Sequence, residues 1–408
     1  MKKMKVAFLT NGTSPVPATK GGAVENLIED LLDENEKKHG FDFTVLSLYE
    51  KKADEQSRKY KNSNFYFIKS PAIINRLDKG IYWIAKNILK KPNLISYRYI
   101  LRRLYVMSKF PRILIENDFD RIVLVTNSTL FFVLKNKKVA KKYEGKTIYY
   151  LHNEVRSLFK CEKEAASIRS LIGISEFVND SFRKQVPMLK QEQCFVLKNG
   201  VDTVKFTTRD ERKIEEYKSK FGIKEKDFVV VFAGRLVDEK GALETIKAIK
   251  ACKDEHIKLL IVGAGFYSSD IVDDYTLELQ KEAEVVKDKI IFTGYIDYKD
   301  MPSIYQLGNV AVLPSMWDEP AGMTMVEAVV SGLPLITTKS GGIPEYIPDD
   351  AAILLDRDEN LVDNIKKSIV MIKNEPNKFE SMLLNGRKLI RKYNLTDYYS
   401  NFESILME

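Results

Sequence analysis

The stretch Phe228-Val229-Val230-Val231-Phe232-Ala233-Gly234-Arg235-Leu236-Val237-Asp238-Glu239-Lys240-Gly241 decides the fold. Six apolar residues in a row, with no polar alternation, predict a strand covered on both faces, as in a parallel sheet. Gly234 ends the run, and after a short charged loop residues 241–252 read as a helix. Downstream the alternation continues, with strands expected at 258–262, 290–292, 310–313 and 335–337 and helices at 275–287, 301–307 and 323–330. From there to the end the chain reads mostly as helix.

Upstream, strands are expected at 5–10, 43–49, 64–68, 121–126, 147–151, 170–174 and 194–197. A helix face formed by Val24, Leu27, Ile28, Leu31 and Leu32 lies within 23–39, and 72–117 is helical and amphipathic in patches. The two alternating blocks meet at Lys198-Asn199-Gly200-Val201-Asp202, a turn-rich connection. At 408 residues the chain exceeds one ordinary core, so two domains are expected. The fold class is α/β, with two Rossmann-like domains whose parallel sheets face an interdomain cleft. Ligands of such sheets bind outside the carboxyl ends of the strands, which directs attention to the loops after Thr10, Leu151, Ala233, Val262, Phe292 and Leu313.

Two of these loops carry chemistry. In the first, Gly234 allows close backbone approach to a ligand, and Arg235 and Lys240 add two cations beside a helix N-terminus, an arrangement suited to a diphosphate. Two solvated surface charges are an equally good reading of that loop alone. The second is Glu319-Pro320-Ala321-Gly322-Met323-Thr324-Met325-Val326-Glu327. Pro320 and Gly322 break the chain, Met323 opens a helix, and Glu327 follows about one turn later. Two carboxylates so spaced can each hold a pair of hydroxyls, and the amides of Gly322, Met323 and Thr324 would face an anion. The competing reading makes Glu319 a helix cap and Glu327 a solvated residue, but Glu327 stands in the apolar run Met325-Val326-Glu327-Ala328-Val329.

These motifs resemble family 4 of the retaining glycosyltransferases, which have the GT-B fold. The resemblance rests on Gly-Arg-x4-Lys-Gly, Glu-x7-Glu and Gly341-Gly342-Ile343-Pro344-Glu345, and extends to Lys20-Gly21-Gly22-Ala23, Ile174-Ser175-Glu176 and Asn199-Gly200-Val201-Asp202. It is closest to bacterial capsular or cell-surface polysaccharide transferases. It implies an acceptor-binding domain over 1–198, with a C-terminal helix about 392–408 packing back on it, and a nucleotide-sugar-binding domain over 199–391. By resemblance, Arg235 and Lys240 bind the donor diphosphate and stabilise its developing charge. Glu327 holds the ribose, and Glu319 with Gly322, Met323 and Thr324 holds the transferred sugar. Gly21 and Gly22 approach the phosphates or the acceptor, and His152 contacts the donor sugar; a histidine satisfied at the core edge is its alternative. Many members have an aromatic where this chain has Ala321, so the wall around the sugar differs. The implied reaction moves a hexose or N-acetylhexosamine from a UDP-sugar to a surface-glycan or lipid-linked acceptor, without a metal or other cofactor. Alternatives are a non-catalytic glycan-binding partner and another GT-B enzyme such as a sugar-nucleotide epimerase.

Other classes are set aside on composition. Cys161, Cys194 and Cys252 and three histidines have no metal-ligand spacing. Gly263-Ala264-Gly265 begins like a dinucleotide fingerprint but lacks its third glycine at Ser268. The basic start Met1-Lys2-Lys3-Met4-Lys5 precedes too short an apolar run for a signal peptide, and no stretch reaches a membrane span, so a cytoplasmic location is expected. Residues 69–112 hold eleven Lys or Arg against Asp78 alone, a local net charge of +10 in a chain whose total is +8. Six aromatics are interleaved, among them Tyr82, Trp83, Tyr97 and Tyr105. That pattern suits peripheral contact with an anionic membrane; solvated cations over an aromatic core are the alternative, and no nucleic-acid motif accompanies it.

Overall fold

The computed structural model describes residues 3–88, 99–263 and 274–408. Ala264 to Ser268 of the glycine turn, and Tyr97, Lys90, Lys91 and Arg98 of the basic segment, lie outside the described residues. The chain divides into two compact units, Met1–Lys198 with Leu395–Glu408, and Asn199–Asn394.

In the first unit β1 (Met4–Leu9), β2 (Phe41–Leu48), β3 (Ser63–Ile68), β4 (Arg121–Val125), β5 (Thr147–Leu151), β6 (Ser170–Gly173) and β7 (Cys194–Val196) form one sheet. Its order is β3-β2-β1-β4-β5-β6-β7, with every pairing parallel. The second unit builds β8 (Phe228–Ala233), β9 (Ile257–Val262), β10 (Ile290–Gly294), β11 (Val310–Leu313), β12 (Leu335–Thr338) and β13 (Ile353–Leu355) into an all-parallel sheet of order β10-β9-β8-β11-β12-β13. Strands such as Val6-Ala7-Phe8-Leu9 and Val229-Val230-Val231-Phe232 are buried throughout, because helical crossovers cover both faces of each sheet. In both sheets the strand order reverses beside the first strand, between β1 and β4 and between β8 and β11. A crevice opens at the carboxyl ends of the strands at such a reversal.

Several elements depart from the sequence expectation, among them the helices Lys51–Ser57 and Glu211–Phe221, which it did not assign. The apolar triplet at β13 adds an edge strand on β12 in a region read as mostly helix, since three residues are too few to show a period. The long helical stretch is divided into Ala72–Asn87 and Ile100–Glu116. Asp78, the lone acid of the basic segment, is buried and accepts the amides of Leu101 and Arg102, each at 2.9 Å. Its charge thus serves the N-terminus of the second helix, where the backbone amides lack partners within the helix.

The C-terminal helix Leu395–Met407 completes the first unit. Phe402 is fully buried, its ring 5.8 Å from Phe8 and 6.5 Å from Phe43. The hydroxyls of Tyr398 and Tyr150 hydrogen-bond at 2.7 Å, and Tyr399 donates to the Asn35 Oδ1, also at 2.7 Å. Among the described residues no helix is long and apolar enough to cross a membrane. Phe402→Ala should cost about 3–5 kcal/mol in urea unfolding, the usual range for emptying a buried aromatic site; a loss under about 1 kcal/mol would mean that this helix does not close the core.

Candidate functional site

The second unit concentrates its chemistry at the reversal between β8 and β11. Past Ala233 the chain turns at Gly234, whose amide donates to the Val262 carbonyl at 3.0 Å. Arg235 follows, exposed and without a side-chain partner among the described residues. A single 3₁₀ turn, Asp238–Lys240, leads to Gly241 in the left-handed region at φ 71°, where a Cβ would collide with the Pro314 carbonyl oxygen. A glycine here therefore lets the loop after β8 touch the loop after β11. Met316 donates its amide to the Glu239 carbonyl at 2.8 Å and secures the same contact.

That contact places Lys240 against Glu319. The ammonium forms an ion pair with Oε1 of Glu319, which also accepts the Ser315 hydroxyl at 3.1 Å. Glu319 is buried, whereas the Lys240 side chain is partly exposed and lies 5.8 Å from the Trp317 ring. The backbone of Glu319 is fixed from the other side. Its carbonyl accepts the Gly342 amide at 2.7 Å, and Gly341, at φ 54°, packs so closely that any side chain would strike the Glu319 backbone. The motif Gly341-Gly342 is thus a seat for Glu319. Ala321 is buried behind it, and Gly322 is the N-cap of the helix Met323–Val330, whose Met323 and Thr324 are half-buried. The first-turn amides of a helix have no carbonyl within it to bond, so this N-terminus can receive an anion.

Glu327 is held separately. It is 7% exposed, so the solvated reading fails. Tyr298 donates to its Oε1 at 3.0 Å and Tyr305 to its Oε2 at 3.4 Å. Burial pushes its carboxyl up to about 7, against the two tyrosine hydroxyls and Lys205, which favour the charged form. Lys205 stands 4.4 Å from the centre of the Tyr298 ring. Each carboxylate oxygen keeps acceptor capacity for a further hydroxyl. Ser315, Trp317, Tyr298 and Tyr305 are absent from the sequence reading. Tyr298 follows the end of β10, a strand-end loop that the topology rule already marks, and was the findable one.

The remaining candidates belong to the first unit. Gly21 and Gly22 have φ of 69° and 130° and precede the helix Ala23–Lys38, but the Glu25 carboxylate lies against Gly22 and occupies that helix end. Burial raises the pKa of Glu25. His152 follows β5 and is 4% exposed. Its Nδ1 is 2.8 Å from the Thr126 hydroxyl, while Nε2 is buried without a partner, so the satisfied-histidine reading holds for one nitrogen only. Burial pushes its pKa down to about 3, which keeps the imidazole neutral. Among the described residues no group of three or more His, Cys, Asp or Glu is placed to hold a metal ion.

Residues 213–389 match the family described as glycosyl transferases group 1, so the second unit carries a group 1 glycosyltransferase domain. The putative glycosyltransferase YtcC of Bacillus subtilis is 28% identical over 94% of this chain and 87% of its own length. Spore coat protein SA of the same organism is 24% identical over 85% and 84%. Among solved structures, HepE of Anabaena in complex with UDP-glucose superposes with a TM-score of 0.73 at 17% identity, over 99% of each chain. A glycosyltransferase from Rickettsia africae gives a TM-score of 0.75 at 15% identity, covering 100% of this chain and 98% of its own. The fold is GT-B, and the chain is an enzyme of the glycosyltransferase class.

Glu327 makes the site sensitive to pH. Between its ordinary value near 4.5 and about 7 the folded chain holds a proton that the unfolded chain has released, so stability falls as pH rises through that window. Glu327→Gln has no proton to lose. Its Tm relative to the parent should therefore climb from pH 4.5 to pH 8; a difference independent of pH would show that the carboxyl is not raised by burial.

Proposed function

We propose that this chain, whose residues 213–389 form a group 1 glycosyltransferase domain, is a retaining transferase of the family 4 type. It moves a hexose or N-acetylhexosamine from a UDP-sugar to a surface-glycan or lipid-linked acceptor. The observation that carries this reading is the Lys240–Glu319 pair together with Arg235, which has no side-chain partner among the described residues, and the N-terminus of Met323–Val330. Cations, a helix N-terminus and buried carboxylates side by side match a ligand with a diphosphate between two hydroxyl-rich rings. HepE, which has this fold, was solved with UDP-glucose, and that supports the choice of donor.

On this reading Arg235 and Lys240 hold the diphosphate, and Gly234 lets it approach the backbone. Lys240 then exchanges part of its contact with Glu319 for phosphate oxygens, which frees Glu319 to accept hydroxyls of the transferred sugar, near Ala321. Glu327 accepts the two ribose hydroxyls, steadied by Tyr298 and Tyr305. The bond from the anomeric carbon to the diphosphate oxygen breaks and the diphosphate leaves as an anion. The acceptor oxygen bonds to the same face of that carbon, and its proton passes to the departing phosphate oxygen. Fixed cations aimed at the leaving oxygen act without reorganisation, and removing one such group typically lowers turnover about 10²–10³-fold. Neutral His152 contributes a hydrogen bond to the sugar through its open Nε2. Gly21 and Gly22 admit phosphate or acceptor once the Glu25 carboxylate moves aside.

The basic segment gives this enzyme a surface for the membrane that carries such acceptors. Along the helix Ala72–Asn87 and its cap, Ile73, Leu77, Trp83, Ile84 and Ile88 are exposed, with Arg76 and Lys79 exposed among them. An apolar stripe flanked by cations suits an anionic lipid surface.

Two experiments test these statements. Screened for slow hydrolysis of a panel of sugar nucleotides, the protein should prefer a UDP-sugar, and Lys240→Ala should lower that rate at least a hundredfold; full activity in the variant would overturn the leaving-group role. In flotation with liposomes containing anionic lipid, the protein should rise with the vesicles and be released by salt, and failure to bind would overturn the membrane contact.

A further inference from the structure

Thr126, the first residue past β4, has a φ of 65°. The Asn127 amide donates to the Val125 carbonyl at 2.7 Å, so Thr126 is the centre of a three-residue turn, and the positive φ makes this the rare, strained form. Glycine and asparagine adopt such a conformation readily. A β-branched residue does so only where its surroundings impose it, and strain of this kind gathers at functional sites.

The surroundings of Thr126 do impose it. Its amide donates to the Tyr150 carbonyl at 2.7 Å, and its own carbonyl accepts the hydroxyl of Tyr149, a fully buried side chain of β5, at 2.6 Å. Just beyond the turn the Asn127 side chain accepts the Thr129 amide at 3.0 Å and caps the 3₁₀ helix Ser128–Lys135. With the backbone held from both sides, the Thr126 hydroxyl makes one hydrogen bond among the described residues, to Nδ1 of His152 at 2.8 Å.

That bond sets more than the place of the ring. The Tyr150 ring backs the imidazole, 4.1 Å away between centres. The Tyr150 carbonyl also acts on the imidazole, in the sense that favours a proton there. Nε2 has no partner, so the nitrogen it acts on is Nδ1. A carbonyl oxygen only accepts, whereas a hydroxyl donates or accepts. The neutral tautomer that satisfies both oxygens therefore carries its proton on Nδ1. Nε2 is then a bare lone pair, shielded from water and open to a donor.

We infer that Thr126 is a positioning residue for the transfer: its hydroxyl, carried by the strained turn, fixes the His152 ring so that Nε2 accepts a hydroxyl of the transferred sugar. The inference rests on the reading of the chain as a sugar-nucleotide transferase, and adds the direction of that hydrogen bond and the residue that sets it. Glycine would relieve the backbone at this position but supplies no oxygen to hold the ring.

Hydrolysis of the preferred sugar nucleotide, nitrogen NMR of the histidines and calorimetry with UDP test this on the full chain. In the parent, His152 should show a protonated Nδ1 and an unprotonated Nε2; the chain has three histidines, and comparison with His152→Ala assigns its signals. Thr126→Val keeps the shape without the hydroxyl. It should lower turnover about tenfold, the scale of one lost hydrogen bond, with UDP affinity unchanged. Thr126→Ser should keep most of the rate. Added to His152→Ala, Thr126→Val should cost nothing further, because it acts through the ring. Thr126→Gly takes the turn without strain and serves if the valine variant fails to fold; it should lose the same factor despite its relieved backbone. A proton on Nε2 in the parent, undiminished turnover in the valine or glycine variant, or an equal loss in the His152→Ala background would overturn the inference. If the parent hydrolyses no sugar nucleotide, the transferase reading fails and NMR alone decides on Thr126. The Nε2 signal should then move toward that of a tautomer mixture in Thr126→Gly, and an unmoved signal would overturn its role.

Discussion

Lys240 and Glu319 stand 79 residues apart in sequence, on loops that leave β8 and β11, and their ion pair is the contact on which the candidate site depends. An ion pair with one buried member is costly to assemble unless the backbone has already set the geometry. Here two glycines do so. Gly241 lets one loop rest on the Pro314 carbonyl, and Gly341 lets a third loop press on the backbone of Glu319. Side chains at either position would part these loops, and the pair would be lost without any change to the charged residues themselves. The strand order explains why these loops meet at all: β8 and β11 are neighbours at the reversal, so their carboxyl ends open onto the same crevice.

The two carboxylates of the Glu-x7-Glu segment have different electrostatic fates. Glu319 has a cation beside it and stays at the foot of a helix. Glu327 lies within the helix, among apolar residues, and its burial is offset by two tyrosine hydroxyls and, least, by the charge of Lys205. Neutral donors compensate a buried charge less well than a cation does. The second carboxylate therefore has a reason to accept hydroxyls from a ligand, because each one offsets part of the cost of keeping it ionised. His152 is the counterpart in the first unit: a neutral imidazole with one nitrogen engaged and the other waiting.

Much of the fold was legible in the residues. The uninterrupted apolar runs of β8 and β11 marked their own ends, and the helix Met323–Val330 was announced by Pro320 and Gly322 before it. β13 escaped because three residues carry no period. Within the site, Glu327 was legible because a charge in an apolar run must be accounted for. Its partners were not, since tyrosines such as Tyr305 on a helix face read as core. The Lys240–Glu319 pair could not be read either, because pairing across the sheet depends on strand order, which local sequence does not encode.

The return of residues 395–408 to the first unit bears on how the chain is made. Synthesis delivers residues 1–198 before 395–408, so Phe8 and Phe43 lack the ring of Phe402 until that later segment emerges. The second unit, contiguous over 199–394, is complete before then. Domains made in order usually close in order; here the first to appear is the last to be sealed. The face of the first sheet that this helix covers therefore stays open to solvent while the second unit is being made.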